Sequence, residues 1–347
     1  MKKGTKIALI LAAILIAAGI LALVAGMALL DFDFSKLNST NYITTEQTIS
    51  DSFTGISVDC NSSSLHLLPA EDDSCRIVFT DTEEALHTAA VEDGILRISR
   101  EENRKWFDFL RYIGMLSSSP EIRLYLPKAV YERLTIKTTS GDVELAAGLQ
   151  FTDAELKCTS GNLICMADVQ GSLLAEATSG DIRIGVVSAD TVRLKATSGD
   201  IQFDGDETCD SLRAETTSGD IRISGLLDSG SLGIETTSGD ITVAEAGCQN
   251  ITITATSGDI VLQHVIAEKE MLLTATSGEV QLTDCDAESI RITTTSGDVE
   301  GSLLTGKLFH TETTSGDVIV PHGYRSGFCG VTTTSGDIHI VIAASAE

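Results

Sequence analysis

The sequence contains little proline, few aromatic residues and few basic side chains, and each shortage excludes a class of protein. Only 4 prolines occur among 347 residues, and none stands at an apolar strand position of the repeat described below, as hydrogen-bonded β-ladders require. Aromatic residues make up 5% of the chain, which favours a narrow interior filled by aliphatic side chains. With 24 basic against 50 acidic residues and a net charge of −26, the chain is unsuited to binding nucleic acid.

Motifs of catalysis and metal binding are also missing. There is no Gly-x-Ser-x-Gly elbow, phosphate-binding loop, His-Glu-x-x-His or Cys-x-x-Cys pair, and the 6 histidines show no metal-ligand spacing. Few acidic or basic residues stand out from the repeat pattern. They are Arg183, Arg222, Glu300 and His339, which share one position of the repeat. We therefore assign no catalytic, cofactor-binding or metal-binding residues and expect a protein that is not an enzyme.

What the sequence does contain is a repeated motif, Thr-Ser-Gly followed by a small acidic or amide residue. It occurs eleven times between Thr139 and Asp337, at intervals of 19 or 20 residues. The glycines are Gly141, Gly161, Gly180, Gly199, Gly219, Gly239, Gly258, Gly278, Gly297, Gly316 and Gly336. A fixed period of this kind indicates a stack of repeated units, each too small to bury its apolar face alone.

The residues on either side of each glycine alternate between apolar and polar. Around Gly141, apolar side chains stand at Leu134 and Ile136 before the glycine and at Val143 and Leu145 after it. The other repeats follow the same pattern, and β-branched residues dominate the apolar positions, as a pleated surface prefers. Alternation with a period of two predicts strands with one buried and one solvated face.

The length of the repeat then selects the architecture. About 20 residues are too few for a crossover helix with two strands, which needs about 30 or more, and too few for a propeller blade. Successive coils must therefore stack directly, with parallel pairing at ~4.8 Å. The sequence predicts an all-β fold, a single-stranded parallel β-helix of about eleven coils, and the usual hand of parallel crossovers favours a right-handed winding.

The N-terminal end of the chain predicts a membrane anchor. Residues 7–30 are uncharged and apolar and follow Lys2, Lys3 and Lys6, which is long enough for one transmembrane helix and favours a cytoplasmic tail of residues 1–6. A cleaved signal peptide, with Gly26–Ala28 as a poor cleavage site, is the alternative. A retained anchor would place the chain in the cell membrane as a single-pass protein with the β-helix outside the cytoplasm.

Between the anchor and the repeats we expect a polar spacer over residues 31–50 and a cap over residues 51–133. The cap begins with a degenerate coil, because Ile56–Leu67 matches Leu134–Leu145 in its alternation. Terminal units of a solenoid are atypical because they must close the stack. The β-helix repeats then occupy residues 134–342, and residues 343–347 form a short tail.

Inside the cap, strands and one helix are predicted. Cys75–Thr80 and Ile122–Pro127 read as strands, and His87–Arg100 reads as a hairpin with its turn at Glu92–Gly94. Trp106–Leu116 holds the only tryptophan, and its apolar residues follow helical spacing. This helix would cover the open end of the β-helix or, alternatively, present an exposed apolar patch to a partner or a membrane.

The residue after the repeated glycine is acidic in all but one coil. It is Asp142, Asp181, Asp200, Asp220, Asp240, Asp259, Asp298, Asp317 and Asp337, with Asn162 and Glu279 in the other two coils. Stacked coils would place these side chains in an acidic file at ~4.8 Å spacing. Aspartate beside glycine is typical of turn capping. A ladder of calcium ions is the alternative, although one carboxylate per coil supplies few of the six to eight oxygens that calcium needs.

The 8 cysteines fit buried thiols better than a disulfide framework. Cys209 and Cys248 share a repeat position but lie two coils apart, roughly 9–10 Å, beyond the ~7 Å limit for a bridge. Cys60 with Cys75 is the best remaining pair. Most of the cysteines are therefore interpreted as small buried fillers.

The tandem Thr-Ser-Gly-Asp-Ile/Val coils, with Ile122–Pro127 and Leu134–Val143 at their start, resemble the bacterial "putative adhesin" family of β-strand-repeat proteins, a domain of unknown function. The likeness spans about Ile49 to Ile342. The resemblance implies a membrane-anchored surface protein with a β-helix domain, and it brings no binding residues to this sequence. It also extends to proteins near envelope-stress regulators.

We therefore expect a non-enzymatic cell-surface interaction protein, an adhesin or scaffold, that needs no cofactor. An unknown protein or carbohydrate ligand would lie along the variable outward positions or the acidic file. An accessory or sensor protein of an envelope-stress signalling system is the alternative, and a polysaccharide-acting β-helix enzyme is a second one. Because nothing beyond Val341–Glu347 covers the last coil, end-to-end self-association through an open edge is also expected.

Overall fold

From Tyr42 onward, the described part of the protein consists of strands and turns. The structure, a computed structural model, describes residues 42–82, 85–102, 120–185, 188–205, 209–226, 228–323 and 326–343, together with Ile16, Gly19 and Leu21. The predicted anchor over residues 7–30, apart from those three positions, and the helix predicted at Trp106–Leu116 lie outside the described residues.

Among the described residues, no helix has the length and apolar character needed to span a membrane.

The strands belong to one continuous sheet of 26 strands. Their bounds are β1 Tyr42–Ile49, β2 Gly55–Asp59, β3 Ser64–Pro69, β4 Cys75–Thr82, β5 Ala85–Glu92, β6 Ile95–Glu102, β7 Glu121–Leu126, β8 Val130–Thr138, β9 Val143–Leu145, β10 Gln150–Cys158, β11 Leu163–Cys165, β12 Asp168–Ala177, β13 Ile182–Ile184, β14 Thr191–Ala196, β15 Ile201–Asp204, β16 Ser211–Ser218, β17 Ile221–Ser224, β18 Ser229–Ser238, β19 Ile241–Ser257, β20 Ile260–Ser277, β21 Val280–Thr293, β22 Val299–Leu303, β23 Leu308–Ser315, β24 Val318–Ile319, β25 Phe328–Ser335 and β26 Ile338–Ile342.

The predicted β-helix is confirmed. Strands before the corner glycines pair in parallel from β8 through β10, β12, β14, β16 and β18, and strands after the glycines pair in parallel from β9 through β11, β13, β15 and β17. The solenoid has about 10 turns, slightly fewer than the eleven coils predicted. The coil at Gly316 is the least regular, because its second strand, β24, has only 2 residues, both exposed.

The core is a line of aliphatic layers along the inside of the coils. Leu134, Ile136, Val143 and Leu145 are each 0% exposed, while the residues between them face outward, as the period-two pattern predicts. Side chains of this size contribute roughly 1.5–3 kcal/mol each when fully buried. The stability of the rod is therefore distributed over its layers rather than concentrated in one globular centre.

The repeated glycines are required because adjacent backbones approach closely at the corner. A Cβ atom added to Gly219 would lie 2.1 Å from the carbonyl oxygen of Gly199, and one added to Gly180 would lie 1.9 Å from that of Gly161. Both distances are far below van der Waals contact. A side chain at this position would therefore prevent the coils from stacking.

The N-terminal cap contains the predicted degenerate coil. Ile56 pairs in register with Leu134, and Leu65 with Val143, which is the alignment that the alternation predicted. This coil, β2–β3, lies between β8–β9 and an outer pair, β6 and β7. The predicted hairpin is also present as β5–β6, and its turn carries Asp93 and Gly94 with positive φ values of 53° and 74°.

Part of the predicted spacer is ordered, which differs from the expectation for residues 31–50. Tyr42–Ile49 forms β1 and pairs antiparallel with β4 over its whole length. β4 also pairs antiparallel with β7, so antiparallel strands cover the N-terminal end of the solenoid. β1 is rich in threonine and β-branched residues, which are enriched in strands, a signal that the reading of this segment as a spacer overlooked.

At the C-terminal end, the order of the coils in space departs from their order in sequence. β25 pairs with β21 on one side and with β23 on the other, and β26 likewise lies between β22 and β24. The last coil is therefore inserted one layer inside the end, and the coil of β23 and β24 forms the open end. This corrects the expectation that the final coil, before Val341–Glu347, carries the open edge.

A buried ion pair stabilises the connection between β22 and β23, which passes the layer occupied by the last coil, β25 and β26. Lys307 lies between β22 and β23 and is 4% exposed, and its Nζ is 2.5 Å from Oδ1 of Asp286 on β21. The pair connects the crossing segment to the coil beneath it. Removing one partner of such a pair leaves an uncompensated buried charge.

All eight cysteines are buried and free, so the remaining candidate pair, Cys60 with Cys75, is not bonded. The interpretation as small fillers is confirmed. Burial raises the pKa of the Cys60 thiol to about 11 and that of Cys165 to about 12. A raised pKa keeps a thiol protonated at neutral pH and therefore weakly nucleophilic.

We predict that Gly219→Ala destabilises the fold by roughly 3 kcal/mol or more, because the new Cβ would overlap a backbone carbonyl that cannot move independently. The urea midpoint of unfolding, followed by circular dichroism, measures the effect. Gly233→Ala is the control, since a Cβ there meets no heavy atom closer than 4.0 Å. Equal midpoints for the two variants would contradict the close-approach explanation.

We also predict that the folded chain resists alkylation by iodoacetamide at pH 8. The pKa of every one of the eight thiols is raised, with burial as the main cause, so thiolate is scarce below the raised values and increases only as the pH approaches them. Mass spectrometry after labelling should find no adducts on the folded chain and eight on the chain unfolded in guanidinium. Rapid labelling of the folded chain would show that a thiol is accessible and ionised.

Candidate functional site

An open groove of about 510 Å³ crosses neighbouring coils at the N-terminal part of the solenoid. Its lining is made by the ends of β8, β10, β12 and β14 and by the corners that follow them. The lining residues are Lys137, Thr138, Lys157, Cys158, Thr159, Glu176, Ala177, Thr178, Lys195 and Thr197. Four of the lining residues, Lys137, Lys157, Glu176 and Lys195, stand at variable outward positions of the repeat.

A column of charged side chains forms one wall of the groove. Lys157 is the register partner of Lys137 on one side and of Glu176 on the other, and Glu176 is in turn the partner of Lys195. Parallel ladder spacing separates these positions by ~4.8 Å each. Three lysines and one glutamate thus line four successive coils, each projecting outward from a strand whose other face is fixed in the core.

Ion pairs hold the central lysine in place. The Nζ of Lys157 is 2.9 Å from Oε1 of Glu155 and 3.1 Å from Oε2 of Glu176, and these hydrogen bonds raise the pKa of Lys157. Lys195 is 3.8 Å from Glu215 in the next coil. Exposed ion pairs of this kind add little stability.

The second wall consists of the corner threonines. Thr159, Thr178 and Thr197 are exposed and follow one another from coil to coil, and the amide of Ser179 donates to the carbonyl of Thr159 at 2.8 Å. The corners are thus spaced by the same backbone ladder as the strands. The groove consequently combines a row of hydroxyl groups with a row of mostly positive charge, which is suited to an extended polar chain rather than to a compact apolar molecule.

The acidic file has a structural use that extends beyond its own turns. Oδ1 of Asp181 accepts the backbone N–H of Asp200 at 2.9 Å, and Oδ1 of Asn162 accepts that of Asp181 at 3.0 Å. The same bond recurs along the solenoid and follows the exchanged order of the last coils, because Asp337 donates to Asp298. Each side chain therefore caps the corner of the next coil rather than only its own. No cluster suited to a metal ion occurs within the described ranges.

A serine, a histidine and an aspartate meet inside the cap, in an arrangement known from nucleophilic catalysis. Ser63 Oγ lies 3.3 Å from His87 Nε2, the other ring nitrogen of His87 contacts Oδ1 of Asp81, and Oδ2 of Asp81 accepts the His87 amide at 2.7 Å. Ser63 is 0% exposed, and the His87 side chain is also 0% exposed. A hydrolytic serine must contact its substrate, so this buried network is assigned to the cap and not to catalysis.

The position of Ser63 explains why the network is there. Ser63 occupies the place of the corner glycine in the degenerate coil, since a Cβ on Gly141 would lie 1.9 Å from the Ser63 carbonyl. Ser63 has no tight corner beyond it, so its side chain is free to point out of the stack toward His87. Sequence reasoning missed this network because residues 63, 81 and 87 show no common spacing and are brought together only by β5 crossing the end.

The four polar residues considered as candidates for a polysaccharide-acting site, Arg183, Arg222, Glu300 and His339, do not form a common site. Arg183 Nε donates to Gln202 at 3.2 Å, and Arg222 pairs with Asp220 at 2.9 Å. Glu300 and His339 become register partners because of the exchanged coils. These residues make local contacts on an exposed strand face, and they form no set of general acid and base with a cavity between them.

We predict that Asp181→Ala lowers the free energy of unfolding by about 0.5–1.5 kcal/mol, because the backbone N–H of Asp200 loses its acceptor in the neighbouring coil. Asp181→Asn is the matched variant and should retain nearly full stability, since Asn162 makes the same bond in the native chain. Urea unfolding of the two variants measures the difference. Equal destabilisation by alanine and asparagine would show that charge, rather than the acceptor, matters at this position.

The chain belongs to the Toastrack DUF4097 family, whose model matches residues 53–265 and 231–347. Solved structures similar to the chain include a putative adhesin from Bacteroides fragilis, with 12% identity, 87% of this chain and 98% of that chain covered and a TM-score of 0.29. A putative lipid binding protein from Parabacteroides distasonis has 15% identity, the same coverage and a TM-score of 0.32. A putative cell adhesion protein from Clostridium sporogenes has 8% identity, covers 87% of this chain and 100% of that chain, and has a TM-score of 0.19. No curated protein matches the chain.

Proposed function

We propose that this Toastrack DUF4097 chain is a non-enzymatic cell-surface interaction protein that holds its solenoid outside the cytoplasmic membrane. The apolar run of residues 7–30 behind Lys2, Lys3 and Lys6 supports a membrane anchor. The rigid ladder supports a binding role, because it fixes outward side chains in columns at regular spacing.

The observation that carries the proposal is the groove along Lys137, Lys157 and Lys195. The chain has a net charge of −26, so most of its surface repels anions, whereas this groove gathers three lysines, of which Lys157 pairs with Glu155 and Glu176 and Lys195 pairs with Glu215. An anionic polymer would therefore meet less repulsion at the groove than over the rest of the chain. The neighbouring threonine hydroxyls would donate and accept hydrogen bonds along such a chain.

We accordingly propose an acidic carbohydrate as the ligand, lying across the coils with its carboxylates near the lysines. An extended chain fits because the groove is open and its polar groups repeat at ~4.8 Å. Each contact with an exposed lysine is weak, so affinity would come from several contacts made together.

We predict that the purified chain binds polygalacturonate and that Lys137→Gln, Lys157→Gln and Lys195→Gln together weaken binding at least tenfold, because the cationic wall is lost. Isothermal titration calorimetry measures the affinity. A chain with Lys128→Gln and Lys269→Gln, both exposed and outside the groove, is the matched control and should bind normally.

The proposal fails if the unmodified chain binds no acidic polysaccharide, or if both sets of variants bind equally well. Its second element, surface display, is tested by adding a protease to intact cells. The solenoid should be digested without lysis, and full protection until lysis would contradict an extracytoplasmic location.

A further inference from the structure

The two ends of the solenoid differ in whether other strands cover them. Antiparallel strands cover the N-terminal end, whereas β23 and β24 at the other end each pair on one side only within the described residues. Apolar side chains are exposed there, with Leu308 58%, Val318 41% and Ile319 59% accessible. Residues 308–319 contain no lysine, arginine or proline and the pairing of β23 shows no bulge, so several usual protections of an edge strand are missing, and Glu312 is the charged side chain that β23 retains.

The backbone of β23 presents a row of hydrogen-bonding groups to the outside. The amide of Leu308 donates to the carbonyl of Gly327 at 3.0 Å, which turns the backbone groups of Leu308 and of alternate residues toward the solenoid. The N–H and C=O groups of Phe309, Thr311 and Thr313 therefore point away from it. Such a row pairs readily with another strand.

We propose that β23 pairs antiparallel with β23 of a second copy of this chain, about a two-fold axis at Thr311, and so joins two rods end to end. Thr311 then faces Thr311 of the second copy as a hydrogen-bonded pair, and Phe309 faces Thr313 in the same way. Hydrogen-bonded and non-hydrogen-bonded pairs alternate in an antiparallel ladder, and this register places Phe309, Thr311 and Thr313 at the hydrogen-bonded positions. The contact itself does not depend on the proposed carbohydrate site, although it deepens the surface role by naming a second copy as partner.

Charge selects this register from its neighbours. His310 and Glu312 lie on the outer face of β23, each side chain 67% exposed. With the axis at Thr311, His310 faces Glu312 of the second copy, and the reverse pair forms on the other side. Moving the axis to Glu312 would place the two Glu312 side chains opposite each other, which is unfavourable. Moving it to His310 would remove both pairs of His310 with Glu312.

The contact would also close the open end of both cores. Phe309 and Val320 are partly buried against the core, and Val318 occupies an inward register position opposite Ile338 but remains accessible because no coil follows it. A second copy laid against this end removes these side chains from water, at about 25 cal/mol per Å² of apolar area. The two N-terminal caps then lie at opposite ends of the joined rod, a geometry that links two surfaces when each rod is anchored by its N-terminus.

Disulfide trapping tests the register. His310→Cys and Glu312→Cys are made in separate full-length chains, purified in detergent, mixed and oxidised mildly. The mixture should give a covalent dimer, because the two Cα atoms of a non-hydrogen-bonded pair lie ~4.5 Å apart, within bridging range. Each variant alone, and the unmodified chain with its buried thiols, should remain uncross-linked. No dimer in the mixture, or equal dimer from either variant alone, overturns the proposed pairing.

Sedimentation velocity tests the association without added cysteines. Thr311→Pro removes an N–H that points away from the solenoid, so it spares the internal ladder and blocks the pairing with a second copy. The unmodified chain and the control Thr311→Val should sediment at twice the 36.7 kDa chain mass, and Thr311→Pro should sediment as a monomer with unchanged circular dichroism. A monomeric unmodified chain, or a dimer that persists in Thr311→Pro, overturns the proposal. Polygalacturonate binding should be equal in all three chains, which separates this contact from the groove.

Discussion

The structure depends on one constraint, the close approach of successive backbones at the repeated corner. The carbonyl oxygen of one glycine lies where the Cβ of the next would be, and the adjoining aspartate accepts the amide of its neighbour in the next coil. Together these contacts keep the coils at ladder spacing and in register. Every other property of the rod, including its aliphatic layers and its columns of outward side chains, follows from that stacking.

The same constraint explains why function is placed on the outward positions and the ends. Inward positions must remain apolar and the corner must keep its glycine, so both vary little from coil to coil. The residues between the inward positions are free to differ, and a local excess of lysine therefore arises at Lys137, Lys157 and Lys195 without cost to the fold. Only the ends interrupt the pattern, with a buried Ser63–His87–Asp81 network at one and an exposed edge at the other.

The buried network also shows how a resemblance to catalytic geometry is judged. Ser63, His87 and Asp81 have the contacts of a nucleophile, base and orienting acid, yet the hydroxyl has no accessible surface. The arrangement is instead the solution to a capping problem, because the column of corners ends at Ser63 and leaves space that polar side chains must fill with mutual hydrogen bonds. Geometry among residues therefore identifies an active site only when a substrate can reach it.

The sequence by itself determined the repeat, its strands, the inward residues, the degenerate coil at Ile56–Leu67 and the buried state of the cysteines, because these follow from local alternation and fixed spacing. It did not reveal β1, whose polar composition resembled a spacer, or the groove, which needs side chains from four coils. Only the tertiary structure decided the order of the last two coils. Each coil carries the same pattern and can pair equally with any other, so connections such as the segment at Lys307, with its buried partner Asp286, decide which coils become neighbours.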